Sequence, residues 1–288
     1  SVFAGNGSTH VPKDVLIESS IRLLDVSGEL IEENLVALAF SGQIETDSLD
    51  GVPVVYQHFF YRAEQSVTFH IKRIMNGFMP PTAANVDNLI NAAEAGERIR
   101  LSGDQRKAIR AALTNKITII TGGPGTGKTT IINLIVKIFK QMGISVALAA
   151  PTGRAAKRIT ETAGVEAMTI HRLLEYVYSE DDNQMEFGRN EDNPLEEDAF
   201  IVDEASMIDL MLMDGFLQAL DNDSRLIIVG DADQLPSVWA GNILHDMINS
   251  EYVPTIRLEE IFRQAGESHI VVNAHSINNG EYPEFNGK

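Results

Sequence analysis

Thr121-Gly-Gly-Pro-Gly-Thr-Gly-Lys-Thr-Thr130 follows an apolar, β-branched segment, Lys116-Ile-Thr-Ile-Ile-Thr121, and leads into an amphipathic one from Ile131 to Met142. Gly122 through Thr129 satisfy G-x-x-x-x-G-K-[ST] in full, with the strand before and the helix after that this pattern requires. Glycines let backbone N–H groups turn inward around a β- and γ-phosphate, and the following helix directs its positive end at them. On this reading Gly123, Pro124, Gly125, Thr126, Gly127 and Thr130 cradle the phosphates. Lys128 neutralises their charge, and the Thr129 hydroxyl is a Mg²⁺ ligand. The sequence therefore predicts a nucleoside triphosphate site.

Moving outward, the chain from Leu101 alternates short β-branched strands with helices. The strands expected are Ile117–Thr121, Ser145–Ala150, Ala199–Val202 and Leu226–Val229. Such alternation predicts an α/β fold, a parallel sheet covered on both faces, with ligands at the C-terminal ends of the strands. Upstream, Ile17, Ile21 and Leu24 fall at helical spacing, as do Ile31, Leu35 and Leu38 after a Ser27 N-cap. Gly42 closes the second helix, and Asp50-Gly51 marks a tight turn between Ile44 and Val52-Pro-Val-Val55. Two helices and a hairpin suggest a winged-helix shape, and a longer helix with Phe60, Ala63, Val67, Ile71 and Ile74 on one face follows. Met79-Pro-Pro-Thr82 is the expected break. The predicted organisation is an accessory unit over 1–80, a P-loop lobe over 81–258 and a linker over 259–288.

Composition sets the bounds. The 288 residues include no cysteine, and hydrophobic residues make up 44 %. That is a globular composition without disulfides or thiolate metal sites, compatible with a reducing cytoplasm. No apolar run approaches the ~18 residues of a membrane helix. The net charge of −18 argues against a polyanionic partner, but its distribution tempers that. Nine bases lie between Arg98 and Lys140 against Asp104 alone, whereas Glu175 to Asp198 holds ten acids and one base. The acidic stretch reads as a solvated loop, and the winged unit has more acids than bases.

Two further segments carry chemistry. Ala199-Phe-Ile-Val-Asp-Glu-Ala-Ser206 is an apolar strand ending in adjacent carboxylates. There Asp203 can hold Mg²⁺ through water while Glu204 polarises the attacking water. In Gly230-Asp-Ala-Asp-Gln-Leu-Pro-Ser237, Gln234 is placed to sense the γ-phosphate; a polar turn residue is the competing reading.

Taken in order, seven blocks resemble a superfamily 1 helicase of the RecD-like branch. They are Leu101-Ser-Gly-Asp-Gln105, Gly122 to Thr130, Ala150-Pro-Thr-Gly-Arg-Ala-Ala-Lys157, Thr169-Ile-His-Arg-Leu-Leu174, Asp203-Glu-Ala-Ser206, Gly230 to Ser237 and Leu258-Glu-Glu-Ile-Phe-Arg-Gln264. The resemblance implies a RecA-like P-loop motor lobe using ATP and Mg²⁺, single-stranded DNA as partner, 5′-to-3′ movement, and in some members an exonuclease V complex. It implies that Gln105 reads adenine, although Ser102-x-x-Gln105 is also a helix capping box that occupies the same side chain. It implies that Pro151, Thr152, Gly153 and Arg154, with Thr169 and His171, hold a DNA strand. His171 is open equally to a structural role.

Arg263 resembles the arginine that reaches the γ-phosphate from across a cleft. An arginine finger contributes about 10³–10⁵ in rate, where a surface ion pair contributes at most about 1 kcal/mol. The later blocks of the family, from a second lobe, are absent before Lys288, so a fragment with weak hydrolysis is expected. Trp239 stands where a Gly-Pro-Gly-like turn is expected, open to base stacking or to packing on the sheet. The rival readings are a nucleotide-gated clamp that grips nucleic acid or protein without unwinding, and an RNA helicase of the same superfamily.

Overall fold

The computed structural model describes residues 7–80, 85–179, 184–260, 273–274, 276–277 and 280–283. The chain opens with β1 (His10–Pro12), α1 (Lys13–Leu24), α2 (Gly28–Phe40), β2 (Ile44–Leu49) and β3 (Val52–Gln57). Ser27 caps α2 by accepting from the Leu30 N–H. Asp50 and Gly51 both take positive φ, 50° and 80°, the two-residue hairpin geometry whose twist matches the flanking strands. β2 and β3 pair antiparallel, and β1 adds on the far side of β3 in the order β1-β3-β2. Two helices and a small antiparallel sheet thus form the winged-helix-like unit.

Next come α3 (His58–Met75), α4 (Val86–Glu97) and α5 (Gly103–Thr114). β4 (Ile117–Gly122), α6 (Lys128–Gln141), β5 (Val146–Ala150), α7 (Gly153–Ala163), β6 (Ala167–Thr169) and α8 (Ile170–Leu173) follow. The remainder is β7 (Tyr176–Ser179), β8 (Gln184–Phe187), β9 (Ala199–Val202), α9 (Leu210–Gln218), β10 (Arg225–Gly230), α10 (Ile243–Asn249) and β11 (Thr255–Leu258). Six of these strands form one parallel sheet in the order β11-β4-β10-β9-β5-β6. β10 lies between β4, which feeds the glycine-rich loop, and β9, which ends in Asp203. This is the RecA-like P-loop arrangement. Both nucleotide segments therefore emerge at the same sheet edge.

Strand alternation explains the layers. Ile117 and Ile119, Phe200 and Val202, and Leu226 and Ile228 face one core; Ile120, Ala199, Ile201, Ile227 and Val229 face the other. Successive side chains of a strand point to opposite faces, so a strand apolar throughout must be covered twice. α5 and α6 fill the second core through Ile109, Leu113, Ile135 and Phe139. The first core is closed by α9 and by α3, whose Phe60, Ala63, Val67, Ile71 and Ile74 pack with Phe216 and Leu217.

Arg73, near the end of α3, fastens this junction. Its Nη2 donates to the carbonyls of Leu217 (3.1 Å), in the last turn of α9, and Leu220 (2.7 Å), just beyond it, and its Nη1 donates to Asn222 Oδ1 at 2.7 Å. The guanidinium satisfies carbonyls that a helix terminus leaves open.

Several strands differ from the sequence reading. β6 and β11 are short, too short for periodicity to mark. The stretch read as an acidic loop holds the β7–β8 hairpin, with Tyr176 opposite Phe187. Ten acids spread from Glu175 to Asp198 dominate the composition and hide the aromatic and β-branched residues of the two strands.

Candidate nucleotide-binding site

The loop after β4 turns on Gly125 and Gly127, both with positive φ (82° and 83°), a conformation glycine adopts without steric cost. Gly122 is confined for another reason. A Cβ there would stand 2.9 Å from the Leu258 Cβ, the Leu258 carbonyl oxygen and Thr126 Oγ1. Thr126, itself buried, ties the loop across itself by donating from Oγ1 to the Gly123 carbonyl at 2.9 Å. α6 begins at Lys128 with Gly127 as its N-cap and no side-chain cap, so the first N–H groups of a 14-residue helix face the loop.

The Lys128 ammonium donates to the carbonyls of Gly122 and, at 3.0 Å, Gly123. Burial holds its pKa below the usual lysine value, against the opposing pull of Asp231, Asp203 and Glu204. A partly desolvated cation beside glycine N–H groups is a donor set suited to a phosphate chain, and the loop fits that group.

Across the sheet edge, Asp203 is buried and Glu204 half-buried. Burial pushes the Asp203 carboxyl above the ordinary carboxylate range, opposed by the hydrogen bond from the Glu204 N–H at 2.9 Å. Glu204 adopts a left-handed backbone, φ 55°, uncommon for a non-glycine residue and characteristic of functional turns. Gln234 is exposed, and its Nε2 donates to Asp231 Oδ2 at 3.3 Å. A single cavity of about 900 Å³ brings together Gln105, Pro124 to Thr130, Glu204 and Gln234.

Gln105 sits at this cavity with both ends of its amide engaged. Its Oε1 accepts from the Ser102 N–H (3.1 Å) while Ser102 Oγ accepts from the Gln105 N–H, so the capping box is formed. Its Nε2 donates to the Thr126 carbonyl at 3.2 Å. These bonds leave the second Nε2 proton and the second Oε1 lone pair unused.

The residues expected to face a nucleic acid lie one layer away. Thr152 and Thr169 are N-caps, accepting from the N–H groups of Ala155 (3.3 Å) and Arg172 (3.2 Å). Because Ala150 pairs with Thr169 in the sheet, Pro151–Arg154 and Thr169–His171 start side by side. Gly153, Arg154 and His171 are exposed. The His171 ring is also edge-on to Tyr176 at 5.4 Å and 6.2 Å from Phe187, so it holds the base of the β7–β8 hairpin. Trp239 is 73 % exposed, which excludes packing on the sheet as its role in this conformation. Arg263 lies outside the described residues.

Sequence reasoning passed over three residues. Arg158 and Arg100 line the cavity. Arg158, one helical turn beyond Arg154 on α7, donates to Glu204 Oε1 at 2.8 Å. The i, i+4 spacing after the Pro-Thr-Gly-Arg turn was the available signal. Asp231 is buried and orients the turn that carries Gln234 by accepting from the Asp233 N–H at 3.1 Å.

Comparison with known proteins supplies the kinship. A family model described as an AAA domain matches residues 105–240. The chain is 35 % identical over 81 % of its length to an ATP-dependent RecD2 DNA helicase of Deinococcus radiodurans, of which it covers 31 %. It is 38 % identical over 50 % of its length to the RecBCD enzyme subunit RecD of Mycolicibacterium smegmatis, covering 30 % of that protein. The corresponding Mycobacterium tuberculosis subunit is 32 % identical over 75 % of this chain and 39 % of its own length. The chain is RecD-like. It spans about a third of the length of these curated relatives. A crystal structure of Pif1 helicase from Candida albicans aligns over 65 % of this chain and 46 % of that one, at 24 % identity and TM-score 0.47. Among the described residues no helix is long and apolar enough to cross a membrane.

Proposed function

We propose that this chain is the nucleotide-binding motor lobe of an ATP-dependent DNA helicase, coupling hydrolysis to 5′-to-3′ movement along a single strand. One observation carries the reading: the Lys128 loop, Glu204 and Gln234 share a cavity, and the strand ends beside it present two N-capped turns on the same sheet edge. The N–H groups of Gly125 to Thr129 orient the phosphates, and Lys128 offsets their charge. Thr129 and Asp203 would hold Mg²⁺, which supplies charge neutralisation for the leaving phosphate. Glu204 orients the attacking water and accepts its proton. Gln234 contacts the terminal phosphate and passes its presence to the turn held by Asp231. By its resemblance, Arg263 would act as an arginine finger on the terminal phosphate.

Pro151 to Arg154 and Thr169 to His171 grip the DNA backbone; backbone contacts of this kind position a strand without reading sequence. Relatives named as RecBCD subunits support assembly with exonuclease subunits, which copurification of the native complex would test.

In the full-length protein, Lys128→Ala is expected to remove ATP binding by calorimetry and ATP turnover with it. Unchanged turnover would refute the phosphate-loop assignment. Single-stranded DNA should raise the turnover of the unsubstituted protein, and a duplex with a 5′ overhang should be unwound in preference to one with a 3′ overhang. The reverse preference overturns the direction of movement. No stimulation by DNA favours the clamp.

A further inference from the structure

The Arg158 guanidinium joins the two halves of the site. Its Nη2 is 2.8 Å from Glu204 Oε1 and 3.9 Å from Asp203 Oδ2. It is thus a cation placed against the two carboxylates that hydrolysis needs for metal and water. The side chain is 57 % exposed while Glu204 is 17 % and Asp203 4 % exposed, so the arginine can leave and the acids cannot. Arg158 belongs to α7, whose first turn, Thr152-Gly-Arg154, is the segment proposed to grip DNA. The Glu204 oxygen that accepts from the guanidinium has one lone pair committed to it.

We propose that Arg158 is a positioning residue that restrains Glu204 until a DNA phosphate seats at the start of α7, making hydrolysis conditional on DNA. The inference rests on the motor reading above and deepens it. A 2.8 Å pair on a half-exposed side chain is strong enough to bias the idle state and weak enough to be broken by a shift of the helix. α7 is short; Ala156 and Ile159 bury in the core beneath it, and the Thr160 hydroxyl accepts from the Ala167 N–H of β6 at 2.9 Å. A displacement at its N-terminus is therefore transmitted to Arg158 as a movement of one rigid element.

The test is steady-state ATP turnover by the full-length protein with Arg158→Gln and Arg158→Lys, each with and without saturating single-stranded DNA. For Arg158→Gln, DNA-free kcat is expected to rise about two- to fivefold, the size of one exposed ion pair, with the stimulation ratio falling by the same factor and the KM for ATP unchanged. Arg158→Lys, which keeps the charge but loses the fork, should lie between. A fall in kcat by the same factor with and without DNA would make Arg158 a transition-state contact and overturn the proposal, as would an unaltered DNA-free rate. If the unsubstituted protein shows no stimulation by DNA, the motor reading itself fails and this inference with it. If the unsubstituted protein is stimulated and Arg158→Gln leaves the ratio intact, only this inference fails.

Discussion

Asp203, proposed above as a Mg²⁺ ligand, would serve that function at the expense of stability. Burial raises its carboxyl pKa, so the folded protein binds that proton at a pH where the unfolded chain has already released it. Its ionised form therefore costs stability at neutral pH, and the cost is relieved as pH falls through the raised value toward the ordinary carboxylate range. Asp203→Asn keeps an oxygen for the Glu204 N–H and removes the buried charge. In the nucleotide-free protein it is expected to raise stability by about 0.5–2 kcal/mol, the usual gain from relaxing a functional residue, as read by urea denaturation at pH 8. A loss of stability there would mean that the Arg158 and Lys128 charges already compensate Asp203. Mg²⁺ requires the ionised carboxylate, so Mg²⁺-dependent nucleotide binding should weaken on acidification at a higher pH than an ordinary aspartate would impose. Titration by calorimetry between pH 8 and pH 5 checks the sign.

At the scale of the element, α5 and the glycine-rich loop are tied by Gln105, whose amide bridges the capping box and the Thr126 carbonyl. Ser102→Ala removes the cap of α5 and is expected to cost about 1 kcal/mol, seen as a lower thermal midpoint. The N–H of residue 102 that bonds the Gln105 amide oxygen is backbone and survives the substitution, so ATP affinity should change little; a large fall would mean that the cap holds the loop in its binding shape. Gly125→Ala acts differently. The residue must keep a φ of 82°, and a Cβ there is strained by roughly 1–2 kcal/mol. Weakened nucleotide binding with a smaller change in melting is the expected signature. The Ser102-x-x-Gln105 pattern was legible as a cap, and Gly122 to Thr129 as a phosphate loop, because both depend on residues within one turn of each other. The Gln105–Thr126 bond was not, since it joins residues 21 apart.

Across the whole molecule, α3 couples the winged-helix-like unit to the sheet. Ile74 is fully buried in a core that also contains Phe200 and Phe216. Ile74→Ala should therefore destabilise by about 2–5 kcal/mol. The loss should appear in a single transition reported both by a probe in β2–β3 and by nucleotide binding. Two separate transitions would show that the units fold independently.

Residues 7–50 carry many more acids than bases. That surface leaves a polyanion to the bases from Arg98 onward and to the exposed turns at the sheet edge. Global charge pointed away from nucleic acid, and only the placement of Arg154, Arg158 and His171 along one edge recovers a surface that suits it.

The sequence alone determined the α/β class, the glycine-rich loop, the paired acids and the helix caps, because these are written in spacings of one to four residues that follow from strand and helix geometry. It also located the helical face of α3, from its 3.6-residue period, but not what that face meets. Only the tertiary structure decided that α3 closes one core of the sheet, that β6 and β11 flank the sheet and that acidic residues 175–198 contain a hairpin. Only it set Arg158 on Glu204. Each of these depends on segments far apart in the chain meeting to bury apolar surface or to neutralise charge, and local spacing holds no record of that.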